Sequence, residues 1–137
     1  MKRLLSVAAI LTVAASAAAY GAKLTTEDLM KTYEKTDKVE ACIPLRSIHQ
    51  TRILDKTNIL FEMDNGRRYL NTLPVNCGGL TPYRAISYRT SLSQLCNTDI
   101  ITVFEPGQPA PNSYGSCGLG KFTELKKKPE TEAPKSE

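Results

Sequence analysis

Residues 52–73 read RILDKTNILFEMDNGRRYLNTL, three short apolar runs separated by two turn signals. Within it, Ile59, Phe61 and Met63 recur at period 2 and therefore share one face of a strand. Asn58 and Glu62 point the other way, and Leu60 interrupts that polar face, which predicts partial cover on both sides. Asp64-Asn65-Gly66 predicts a tight primed turn, since Asn-Gly tolerates positive φ. Arg67–Asn71 is then the return strand, with Tyr69 as its aromatic anchor, and Asp55-Lys56-Thr57 supplies the turn upstream. A calcium loop would need more oxygen ligands than Asp64 and Asn65 provide.

Outward from this meander, the N-terminus carries a different signal. Met1-Lys2-Arg3 is basic, Leu4–Val13 is largely apolar, and Ala17-Ala18-Ala19 satisfies the A-x-A rule. Residues 1–19 read as a secretory signal peptide cleaved before Tyr20. No later segment is long and apolar enough to span a membrane. The expected location is periplasmic or secreted. Residues 20–41 predict a helical lead with Thr25 as N-cap, Asp28 in a weak capping box, and a helix running to about Thr36. Residues 42–125 form the β domain, and the tail 126–137, KKKPETEAPKSE, is charged and Pro-containing, which predicts disorder.

Four cysteines, Cys42, Cys77, Cys96 and Cys117, lie in the exported part. An even number in an oxidising compartment predicts two disulfides. Of the three pairings, Cys42–Cys117 with Cys77–Cys96 follows if the first and last strands are neighbours in a closed barrel. Zinc is disfavoured because no two cysteines have the close spacing of structural sites, and a bonded sulfur is no nucleophile.

Beyond the meander, CIPLRSI (42–48) slips register between Leu45 and Ile48, which predicts a bulge. Tyr83–Thr90 alternates as a short strand, Ser91–Asn97 reads as a helical turn, Asp99–Phe104 is a β-branched strand, and Cys117–Phe122 closes the domain. The fold expected is mainly β: a small five- or six-stranded barrel, SH3-like or OB-like, with an N-terminal helix and two disulfides.

The motif order CIPLRSI, ILDKTNILFEM (53–63), YLNTLPVNCGGL (69–80), YRTSLSQLCNTDIITV (88–103) and SCGLGKF (116–122) resembles a family of small exported proteobacterial proteins catalogued as a domain of unknown function. The resemblance covers residues 42–122. It implies a single exported domain and carries no catalytic residue or activity.

The chain has a formal net charge of +4. The basic residues of the β domain are mainly arginines, which suit bidentate contacts to phosphate or carboxylate. Arg46, Arg52, Arg67, Arg68, Arg84 and Arg89, with Tyr69, form the candidate binding surface. The charge excess is weak for a nucleic-acid binder, and the compartment argues against one. His49, the single histidine, has no nucleophile near it in sequence and reads as a strand residue. Glu62, Asp64 and Asp99 are the carboxylates that glycosidase-type chemistry would have to bring together. No catalytic constellation or cofactor motif stands out. The residues point to a non-enzymatic envelope protein that binds a protein or cell-wall component. The alternatives are a periplasmic modulator or small hydrolase, and a weak anion or nucleic-acid binder that uses the surface arginines.

Overall fold

The computed structural model describes residues 23–108 and 112–130. Helix α1 (Thr26–Thr32) is followed by strands β1 (Tyr33–Glu40), β2 (Cys42–Pro44), β3 (Ile48–Ile53), β4 (Asn58–Met63) and β5 (Arg68–Thr72). Then come β6 (Ala85–Tyr88), β7 (Gln94–Cys96), β8 (Ile100–Phe104), β9 (Ser113–Gly118) and β10 (Phe122–Lys127). The expected signal peptide and its cleavage site lie outside the described residues, as do residues 131–137 of the tail. Among the described residues, no helix is long and apolar enough to cross a membrane.

Among the described residues the fold is mainly β, with one α-helix, and the four cysteines form two disulfides. The expected meander is present as β3-β4-β5, antiparallel and in continuous register from Asn58↔Thr72 to Glu62↔Arg68. It does not close into a barrel. The main sheet is open, with order β1-β10-β5-β4-β3, and is accompanied by a two-stranded sheet β2-β7 and a three-stranded sheet β6-β8-β9. The strands are shorter and more numerous than expected, and the chain crosses between the sheets several times; the crossing from β2 to β3 runs through the 3-10 turn Leu45–Ser47, where the sequence predicts a bulge.

Alternation along β4 explains the layers. Ile59, Phe61 and Met63 enter a core shared with Ile43, Leu95, Ile101, Val103 and Phe122, joining the main sheet to both smaller ones. Phe61 and Phe122 meet edge to face at 5.4 Å, a geometry that contributes about 1 kcal/mol beyond burial alone. Leu60, the residue that broke the polar face, enters a second core on the opposite side with Leu29, Leu54, Leu70 and Leu125. Leu29 is the buried residue of α1, so the helix covers part of the outer face of the main sheet.

Three expectations about individual elements are corrected. The helix stops at Thr32, and residues 33–40 form β1, paired with β10. Beyond Tyr33, which packs at the edge of the outer core, the segment offers no helical apolar stripe, and pairing with β10 satisfies its backbone. The lead is therefore part of the sheet. The closing strand is Phe122–Lys127, so Lys126 and Lys127 belong to the sheet, and residues 117–122 instead include the turn into it. The expected helical turn at 91–97 is the short strand β7.

The disulfide pairing is also corrected: the bonds are Cys42–Cys96 and Cys77–Cys117. Cys42 and Cys96 sit directly opposite each other in the β2-β7 ladder. Cys77 follows β5 and reaches Cys117 on β9. The nested pairing assumed neighbouring first and last strands, which an open sheet does not provide. Loops of 54 and 40 residues each correspond to about 4 kcal/mol in the chain-entropy model, though the two overlap and do not add in full.

Two local devices hold the meander in place. In the β4-β5 turn only Gly66 is left-handed, at φ 82°, and Gly66 N–H donates to Met63 O at 3.0 Å. Asn65 keeps negative φ and its Oδ1 accepts from Arg67 N–H at 3.0 Å, giving a three-residue turn instead of the primed one expected. In the β3-β4 turn, Asp55 accepts from the backbone N–H groups of Thr57 and Asn58, from the Thr57 hydroxyl and from the Asn58 amide. The Thr26 hydroxyl of α1 also donates to Asp55, tying the helix to the turn. Burial pushes this carboxyl up, but the hydrogen bonds outweigh it and hold its pKa at about 2.

Candidate functional site

The outer face of the main sheet has two zones. One lies under α1. The other carries charge, and its centre is Glu62. Arg68, directly opposite on β5, places Nε 3.0 Å from Glu62 Oε1. Arg52, diagonally placed on β3, puts Nε 3.1 Å from Oε2 and donates through Nη2 to Gln50 Oε1 at 3.1 Å. The Arg68 guanidinium also lies 4.9 Å from the centre of the Tyr33 ring. One carboxylate is thus clasped by two guanidiniums, leaving a net positive charge with fixed geometry.

Beside this pair, an open cleft of about 430 Å³ is lined by Lys23, Leu24, residues 50–53, Pro82 and Arg84. Its wall holds three cations, Lys23, Arg52 and Arg84, and no acidic residue. Each cation is positioned by a different neighbour. Arg84 Nη1 donates to Gly79 O at 2.6 Å, and its guanidinium stacks 3.5 Å from the centre of the Tyr114 ring. The Tyr114 hydroxyl donates to Glu105 at 2.8 Å, and that bond pushes the phenol above its ordinary value. Lys23 lies over the ring of Tyr83, itself an exposed aromatic. Arg52 is held from behind by Glu62 and Gln50.

The seven residues proposed from sequence as a binding surface are dispersed. Arg52 and Arg84 meet at the cleft, and Arg68 adjoins it through Glu62. Arg67 stands at the hairpin turn and faces Glu124 at 3.6 Å. Arg46 is exposed on the 3-10 turn, and Arg89 lines a separate hollow with Asp99 and Ile100. Tyr69 is corrected: it is 5% exposed and belongs to the inner core, because its position on β5 alternates with Arg68 and Leu70. Lys23 was not proposed from the sequence. It lies far from Arg84 along the chain, and only the folded sheet brings the two together.

The three carboxylates have separate partners. Glu62 is held by arginines, Asp64 faces His49 Nδ1 at 3.4 Å on the exposed hairpin, and Asp99 accepts from Cys96 N–H at 2.7 Å. No residue bonds to two of them among the described residues. His49 is an exposed strand residue on β3. Among the described residues, no three His, Cys, Asp or Glu side chains converge as metal ligands.

No family model, curated protein or solved structure gives a significant match to this chain.

Proposed function

We propose that this chain is an exported, non-catalytic binding module of the cell envelope that recognises an anionic group on a protein or cell-wall partner. The observation that carries the reading is the convergence of Lys23, Arg52 and Arg84 on one open cleft whose wall contains no acid. Oriented guanidiniums suit anion recognition because their donors are fixed before the ligand arrives. The two disulfides fit an oxidising compartment and stabilise a domain whose core is small. The small exported family suggested by the motif order belongs to the same proposal.

The test is retention of envelope components by the immobilised mature protein at low and high salt. Contacts made through exposed cations weaken as salt rises. We expect one reproducible partner, retained at low salt and lost by the double variant Lys23→Ala/Arg52→Gln. Retention that ignores both salt and the double variant overturns the reading.

A further inference from the structure

We infer that the cleft formed by Lys23, Arg52 and Arg84 is a phosphoryl-binding site. The inference rests on the proposed function and names the ligand chemistry of the same site.

Charge is the first argument. Arg52 shares one carboxylate, Glu62, with Arg68, so two guanidiniums face a single negative charge. Arg84 is placed by a neutral carbonyl and a ring, and among the described residues it forms no salt bridge with a carboxylate. Lys23 rests on the Tyr83 ring. The cleft therefore presents more than one uncompensated positive charge to a single ligand group. A phosphate monoester, at about −1.5 to −2 near neutral pH, matches that surplus better than a carboxylate at −1.

Direction is the second argument. The cations come from three separate elements: the segment before α1, strand β3, and the loop before β6. A carboxylate is planar, and one arginine fork can satisfy both its oxygens. Cations supplied by three elements to one cleft suit the three acceptor oxygens of a tetrahedral phosphoryl group. Arginine and lysine supply the two ways proteins hold phosphate, a rigid fork and a compact point charge. Leu24 and Pro82 give the cleft an apolar side on which the carbon skeleton of a phosphate ester can rest. The cleft volume of about 430 Å³ leaves room for such a body beyond the phosphoryl group.

The experiment uses the mature, oxidised protein labelled for amide NMR and titrated at constant ionic strength. The probes are inorganic phosphate, glycerol 3-phosphate and acetate. Shifts induced by the phosphates are expected at residues 23–24, 50–53 and 82–84, with acetate weaker by about tenfold, the ratio expected from loss of one charge-assisted contact. Tighter binding of glycerol 3-phosphate identifies an ester as the ligand, and equal binding identifies the phosphoryl group alone. Either result upholds the inference. Lys23→Ala, a substitution at an exposed residue that leaves the core untouched, is expected to weaken both phosphates. No localised shift with either phosphate, or equal affinity for acetate, overturns it. Those results leave the binding-module reading standing if the salt-sensitive partner is still retained and lost by the double variant. Absence of both signals removes both.

Discussion

Asn71 is the buried polar side chain on which the packing of the last turn depends, and its replacement by Asp gives a quantitative test of the fold. Asn71 is 0% exposed and lies opposite Phe122 in the β5-β10 ladder. Its Nδ2 donates to Gly120 O at 2.6 Å, and its Oδ1 accepts from Gly120 N–H at 2.9 Å. The amide thus copies the two-way pairing of a strand and pins the turn between β9 and β10 onto β5. Gly120 has no room to adjust, because a Cβ there would run into the carbonyl of Thr72. N71D keeps the shape and removes the donor, so a carboxylate oxygen faces the Gly120 carbonyl. An unsatisfied buried acceptor costs about 1–3 kcal/mol, and more when charged, so a loss of about 3 kcal/mol is expected near neutral pH. With a urea slope of about 1–1.5 kcal/mol per molar, the midpoint falls by about 2 M or more. Burial raises the new carboxyl's pKa in the folded state above its unfolded value near 4, so the folded variant binds the extra proton. The deficit is then fully present above the folded pKa and shrinks as pH falls toward 4, where the protonated acid again donates to Gly120 O. The assay is urea unfolding followed by far-ultraviolet circular dichroism, with variant and parent compared at pH 7 and pH 4. Equal midpoints at pH 7, or a deficit that does not shrink at pH 4, refute the reasoning.

Peptide mapping under non-reducing conditions is expected to yield Cys42–Cys96 and Cys77–Cys117 and no nested pair. The depressed pKa of Asp55, about 2 against 3.8, contributes stability that is present above about pH 4 and lost as pH falls toward 2; discounted for partial solvent exposure, it amounts to about 1 kcal/mol. Thermal melts of the parent should therefore fall more steeply between pH 4 and 2 than those of Asp55→Ala, which is less stable than the parent by about 1–2 kcal/mol at pH 7. Gly120→Ala should cost more than 2 kcal/mol in the same unfolding assay, about the scale of an overpacked core, whereas Gly78→Ala, with open space around it, should stay within about 0.5 kcal/mol.

The meander was legible because alternation is a local signal. The alternation of Ile59, Phe61 and Met63 against Leu60 specified two covered faces, and the structure has a core on each. Cover on both faces is equally what a closed barrel provides. Here it comes from smaller sheets on one side and α1 on the other. Residues 33–40 were misread for a different reason. Their sequence, YEKTDKVE, has neither a helical stripe nor clean strand alternation, and pairing with β10 is what makes them a strand. The disulfide pairing failed for the same reason as the barrel, since β2 pairs with β7 and not with the last strand.

The arginines were legible as a class but not as a site. An exposed arginine has no periodicity that reveals its partner, so Arg46, Arg67 and Arg89 read the same as Arg52 and Arg84. What separates them is the long-range fold. Asp55 ties the start of α1 to the β3-β4 turn, which sets where the chain just before the helix runs, and with it Lys23. The loop after Cys77, fixed to β9 by its disulfide, carries Gly79, whose carbonyl orients Arg84, and β9 carries the Tyr114 ring beneath it. Strand β3 brings Arg52 from the main sheet. The cleft therefore stands where three separately anchored segments meet. Loosening the Cys77–Cys117 staple should disturb Arg84 before it disturbs Arg52, because only Arg84 depends on that loop for its hydrogen bond.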